Sequence, residues 1–139
     1  MKLTKIDHIT INCNNLANSR KFYENVLELK QLEVVDMGDH VLHYYQLPGV
    51  KLELIEYKNP QKNWKIGNTD TGVYRHFAIY TDDLQEIKAR CEKEGYGINL
   101  QPAYIAEIDK TIMLITDPNG VEIEIIQEIG GEDNNAETG

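Results

Sequence analysis

IDHITINCNNL, residues 6–16, and YRHFAIYTDDL, residues 74–84, follow one pattern. His8 falls on His76, Ile9 on Phe77, Ile11 on Ile79 and Leu16 on Leu84. Further along, GVKLELIEY from Gly49 and GVEIEIIQE from Gly120 repeat as well, with Glu53 on Glu124. In residues 5–12, Ile9 and Ile11 alternate with His8, Thr10 and Asn12, which is a strand period with the isoleucines buried. A strand over 74–81 restarts the pattern. After each strand the period lengthens. Phe22, Tyr23, Val26 and Leu27 mark a helical stripe over 16–29, with Asn14, Asn15 or Asn18 as its cap. Leu84, Ile87 and Cys91 mark the second helix, with Asp82 or Asp83 at its start and Gly95 at its end. Strand-like stretches follow near 31–36, 41–47 and 50–57, and again near 98–105, 111–116 and 120–128. Gly38-Asp39, Pro48-Gly49 and Asp117-Pro118-Asn119-Gly120 supply turns. Each half reads βαβββ, so the fold class is α+β with two tandem modules. The expected organisation is a first module over 1–57, a polar linker over 58–73, a second module over 74–128 and a disordered acidic tail over 129–139.

The chain has 139 residues. A half of about 65–70 residues buries little surface alone, so the halves are expected to pack on each other or on a second chain. No apolar run approaches the roughly 18–20 residues of a membrane span. MKLTKIDH lacks the apolar stretch of a signal peptide. A cytoplasmic protein with no membrane partner is expected. The net charge is −9, and the tail supplies only three of the acidic residues. Such a domain repels phosphate backbones, which argues against nucleic acid. Cys13 and Cys91 form no CxxC motif and are expected to be reduced thiols.

His8 shares a strand face with Thr10 and Asn12, His76 with Ala78 and Tyr80, Glu53 with Lys51, and Glu124 with Glu122. Each face lies opposite an apolar one. Core packing does not explain a His and a Glu that recur together inside apolar strands. Carboxylates on such a face repel one another and lose hydration unless compensated. A divalent cation compensates them. Two neutral imidazoles and two carboxylates make a neutral site, and an octahedral ion keeps two positions for water or substrate. Such an ion polarises a substrate carbonyl and stabilises the enolate formed when the neighbouring carbon loses its proton. A carboxylate beside it can act as the base. His40 and His43 do not recur, and His43 is expected at the surface ahead of lining a pocket. Glu56 and Glu122 have no mirrored partner and are expected to face solvent. Trp64, in the polar linker, either covers a pocket or interface or packs on the nearest edge.

The carriers Ile6-Asp7-His8-Ile9, Phe22-Tyr23-Glu24-Asn25-Val26-Leu27, Leu52-Glu53-Leu54, Arg75-His76-Phe77-Ala78-Ile79 and Asp117-Pro118-Asn119-Gly120 to Ile123-Glu124 are similar to the vicinal oxygen chelate superfamily over residues 5–128. That group includes glyoxalase I, bleomycin-resistance proteins, extradiol dioxygenases and methylmalonyl-CoA epimerase. The resemblance implies paired modules forming a U-shaped metal cleft. It implies one divalent ion (Ni²⁺, Co²⁺, Zn²⁺, Mn²⁺ or Fe²⁺) on His8, Glu53, His76 and Glu124, and a homodimer. It makes Glu124 the proton shuttle, with Glu53 as its repeat mate. The implied activity is a lyase or isomerase of glyoxalase I type, acting on a small carbonyl substrate such as a thiol hemithioacetal. Asn12 and Tyr57 stand where an Arg and an Asn are typical, which argues against glutathione as the thiol. A methylmalonyl-CoA epimerase-like isomerase, which also removes a proton alpha to a metal-bound carbonyl, is the alternative, with Glu53 standing where its usual Gln ligand would be. A fourth ligand argues against an Fe(II) dioxygenase, and a non-catalytic binder needs no such set.

Overall fold

β1 (His8–Asn12) and β4 (Val50–Tyr57) lie side by side and parallel, and that pairing frames the first half of the chain. The structure is a computed structural model that describes residues 1–60 and 66–129. Trp64 and residues 130–139, with the expectations stated for them, lie outside the described residues. The chain divides into two units, Met1–Lys65 and Ile66–Gly139.

In the first unit, β1 leads to α1 (Leu16–Asn25), then to β2 (Lys30–Asp36), β3 (His40–Leu47) and β4, in the sheet order β1-β4-β3-β2. The second unit repeats it with β5 (His76–Thr81), α2 (Leu84–Glu94), β6 (Ile98–Ile105), β7 (Lys110–Thr116) and β8 (Glu122–Gln127), ordered β5-β8-β7-β6. Each first strand needs a helical crossover to reach its parallel neighbour, and the helix then covers one face of the sheet. α1 rests on β4, and Phe22, Tyr23 and Val26 are buried along with Ile11, Tyr45, Leu47, Leu52 and Leu54. α2 rests on β6, β7 and β8, and Leu84 and Cys91 are buried along with Met113, Ile115, Ile123 and Ile125. Among the described residues no helix is long and apolar enough to cross a membrane.

The caps follow local chemistry. The Asn15 side chain accepts from the Asn18 N–H, and Asp83 accepts from Glu86 N–H. Gly95 closes α2 at φ 78, in the left-handed region. Five expectations need correction. α1 ends at Asn25 rather than at residue 29, because Glu28 takes φ 55 and Leu29 N–H turns back to the Tyr23 carbonyl at 2.9 Å. β1 starts at His8 rather than residue 5, and β5 at His76 rather than residue 74, where Tyr74 is exposed. Glu122 is buried, because four neighbours donate to it. His43 is buried as well, because it shares the helix-covered face of β3 with Tyr45 and Leu47. Glu56 is exposed, as expected.

Candidate metal centre

The parallel ladder sets a fixed relation between the His and the Glu of each unit. Thr10 pairs with Glu53, and Ala78 pairs with Glu124. Each His lies two residues before that pair, on the same face. Its imidazole therefore reaches along the strand to the carboxylate. His8 Nε2 lies 3.8 Å from Glu53 Oε1. His76 Nε2 lies 3.1 Å from Glu124 Oε1.

The other ring nitrogen is held by a second carboxylate. His8 Nδ1 is 2.8 Å from Asp7 Oδ2, and His76 Nδ1 is 2.8 Å from Glu122 Oε2. The contact with His8 holds the Asp7 carboxyl below its usual range. Burial pushes the Glu122 carboxyl up, but hydrogen bonds from His76, Arg75 and Asn99 outweigh it, and the net shift is downward. Ionised carboxylates only accept, so each imidazole carries its proton on Nδ1. In the neutral ring each Nε2 then presents a lone pair toward a carboxylate oxygen. Two acceptors at 3.1 Å repel unless a proton or a cation lies between them. The donor set fits a divalent ion, and carboxylates behind the imidazoles are the usual outer partners of metal-bound histidines. Within either unit no group of three or more His, Cys, Asp or Glu side chains is gathered to hold an ion among the described residues. Each unit offers one pair.

Glu53 is buried and closely held. Thr10 Oγ1 donates to its Oε1 at 3.0 Å, and the Tyr44 O–H donates to its Oε2 at 2.5 Å. The bond to Glu53, with burial added, pushes the Tyr44 phenol up to about 12. Lys51 Nζ sits 5.3 Å from the centre of the Tyr44 ring. Glu122 is the hub of the second unit. Its Oε2 accepts from Arg75 Nε at 2.8 Å as well as from His76, and its Oε1 accepts from Asn68 at 3.2 Å and Asn99 at 3.4 Å.

The family model of the glyoxalase/bleomycin resistance protein/dioxygenase superfamily matches residues 5–125, which include all four candidate ligands. The chain belongs to that superfamily. Its relatives include a lactoylglutathione lyase of Neisseria meningitidis serogroup A, 29% identical over 134 residues, covering 91% of this chain and 93% of the relative. A probable trivalent organoarsenical cleaving enzyme of Bacillus subtilis is 30% identical over 133 residues, covering 86% of this chain and 77% of the relative. Among solved structures, the trypanothione-dependent glyoxalase I of Leishmania major superposes with a TM-score of 0.72 at 25% identity, covering 98% of this chain and 94% of that one. Two tandem βαβββ modules are thus the glyoxalase-superfamily fold.

In this superfamily member the repeat in the sequence pointed to the His and Glu of each pair, and within each unit they are neighbours. The residues behind them were not singled out as site residues. Asp7 stands next to His8, and Glu122 stands two places before Glu124, so adjacency and strand period were available signals. Tyr44, Asn68 and Asn99 come from distant stretches and carry no sequence signal. His43 takes no part. Its ring nitrogens are buried without a hydrogen bond, and Glu56 Oε1 is 3.6 Å from Nε2.

Proposed function

We propose that this protein is a metal-dependent lyase or isomerase of the glyoxalase I type. Its substrate would be a small carbonyl compound, of which a thiol hemithioacetal is the leading class. His8, Glu53, His76 and Glu124 would together hold one divalent ion. The observation that carries this reading is the repeated pair, in which each Nδ1 rests on a carboxylate and each Nε2 faces a glutamate oxygen. Such an ion supplies Lewis acidity to the substrate carbonyl oxygen. The chain's residues do the rest. Asp7 and Glu122 orient the imidazoles. Glu124, partly exposed, takes a proton from the carbon beside the carbonyl and returns it to the adjacent carbon. Lyases and glyoxalases among the relatives support an enzyme. Their names refer to glutathione and to trypanothione, so they leave the thiol of this chain open, and Asn12 and Tyr57 favour one other than glutathione.

The test is metal analysis followed by hemithioacetal isomerisation with several divalent ions and thiols. One ion per chain is expected, with His76→Ala losing most of the affinity. Glu124→Gln keeps the ion and loses about 10²–10⁴-fold in turnover. Unchanged metal affinity in His76→Ala overturns the ligand set, and near-normal turnover in Glu124→Gln overturns the base. Oxygen uptake with a catechol would instead point to a dioxygenase, and binding without turnover to a carrier. A homodimer is part of the proposal; light scattering at the 16.0 kDa mass of one chain overturns it.

A further inference from the structure

Thr10 and Tyr44 flank Glu53 on its two neighbouring strands, and both donate to it. At the same registers in the second unit, Glu124 is flanked by Ala78 and Leu114. Neither of those side chains has a donor. The two glutamates therefore occupy equivalent places in equivalent sheets with opposite surroundings. One carboxylate has a hydrogen bond on each oxygen, from hydroxyls on separate strands, and cannot rotate without losing one. The other meets the His76 ring on one side and apolar side chains on both neighbouring strands.

We propose that Thr10 and Tyr44 are positioning residues that fix the Glu53 carboxylate as a rigid cation ligand. The inference rests on the metal-centre reading above and assigns a role to two residues outside the ligand set. A cation ligand gains from being held in advance, because no freedom is lost when the ion arrives. Lys51 lies over the Tyr44 ring, which steadies the phenol at the sheet surface.

The test measures Co²⁺ affinity by competition with a chromophoric chelator. Tyr44→Phe and Thr10→Val are each compared with wild type and again in a Glu53→Gln background. Each variant is expected to weaken Co²⁺ by about 10–100-fold in the wild-type background and to have no effect once Glu53 is Gln. Thr10→Ser, which keeps the hydroxyl, is expected to restore the affinity. Losses that persist in full in the Glu53→Gln background overturn the proposal, because the residues would then act through the fold in general. Unchanged affinity in both variants overturns it as well. A second measurement separates this inference from the metal reading. If wild type binds no Co²⁺, or Glu53→Gln and His76→Ala bind it as tightly as wild type, the metal reading fails. The pinning is then decided in metal-free protein by the same double-mutant cycle in urea. Coupling between Tyr44 and Glu53 of about tenfold or more in the unfolding equilibrium constant supports it, and additive effects overturn it.

Discussion

Replacing Glu122 by Gln removes one charge from the centre of the second unit while keeping its shape. In the native protein Oε2 accepts two bonds of 2.8 Å, from Arg75 and His76, and Oε1 accepts two longer ones, from Asn68 at 3.2 Å and Asn99 at 3.4 Å. Glutamine retains one carbonyl oxygen, which can stay with Arg75 and His76. Its amide nitrogen then faces Asn68 and Asn99, whose amides can turn their oxygens to accept. The lost quantity is therefore charge assistance on the two short bonds. Hydrogen bonds to charged groups contribute about 1.5–3 kcal/mol net, against about 0.5–1.5 for neutral ones. Two bonds losing about 1 kcal/mol each give an expected destabilisation of about 2 kcal/mol. Arg75 is half-exposed and can take water in exchange, so no further penalty is added. His76 keeps its tautomer but is held less firmly, and metal affinity should fall by about 10-fold or more. Urea unfolding in excess chelator reads the first effect, and competition for Co²⁺ reads the second. A variant with the wild-type unfolding midpoint and wild-type Co²⁺ affinity would refute the idea that the buried carboxylate orients His76.

The same competition assay applied to Asp7→Asn should show a smaller loss than Glu122→Gln, because Asp7 is largely exposed and its contact with His8 is shared with water; an equal loss would contradict this. Burial, then the bond to Glu24, pushes the Tyr45 phenol up to about 12 from its ordinary 10.0. The folded chain holds that proton more tightly than the unfolded one, so Tyr45 contributes fully below pH 10 and its contribution is lost as pH rises from there through 12. Tyrosinate absorbance should show a late step shared with Tyr44, whose phenol is also pushed up to about 12, and Tyr45→Phe should shrink that step by one phenol; a late step of unchanged amplitude in Tyr45→Phe would be the contrary result. Burial also lifts the Cys91 thiol to about 11, while Cys13 is partly accessible. Iodoacetamide at neutral pH should therefore label Cys13 and spare Cys91 until urea is added, as mass spectrometry would show; early labelling of Cys91 would be the opposite outcome. His43→Leu removes two buried nitrogens that have no hydrogen bond, and should raise stability by about 1 kcal/mol. A drop in stability would mean that the imidazole has a partner in solution.

Where a side chain's neighbours lie on its own strand or turn, the sequence was enough. β4 over residues 50–57 and β6 over residues 98–105 match their expected limits. Pro48-Gly49 also joins β3 to β4 as read, with Gly49 at φ 77, where a side chain would be strained. The end of α1 was misread because the left-handed residue there is Glu28 rather than a glycine. Glu122 and His43 were misread for a different reason. Alternation tells which face a residue takes, but not what another element brings to that face. Asn68 and Arg75 precede β5, and Asn99 lies on β6, yet all three meet Glu122. His43 is hidden because it shares its face with Tyr45 and Leu47, over which the first unit buries its core.

The two histidines reach the same arrangement from opposite sides. Aligned on the repeat, Asp7 corresponds to Arg75 and Lys51 to Glu122. In the first unit the acid precedes the histidine and the base stands across the parallel ladder, where His8 pairs with Lys51. In the second the base precedes and the acid stands across, where His76 pairs with Glu122. The charges are exchanged, yet each Nδ1 still finds a carboxylate at 2.8 Å and each Nε2 is left facing a glutamate. The exchange has a mechanical consequence. Asp7 sits in water and holds His8 weakly, whereas Glu122 is buried among four donors and holds His76 firmly. The glutamates reverse this order, with Glu53 bonded on both oxygens and Glu124 flanked by Ala78 and Leu114. Each pair thus joins one more closely held member to one held by fewer bonds, Glu53 with His8 and His76 with Glu124. If Glu124 moves a proton as proposed, the firmly held His76 beside it would keep its starting point defined.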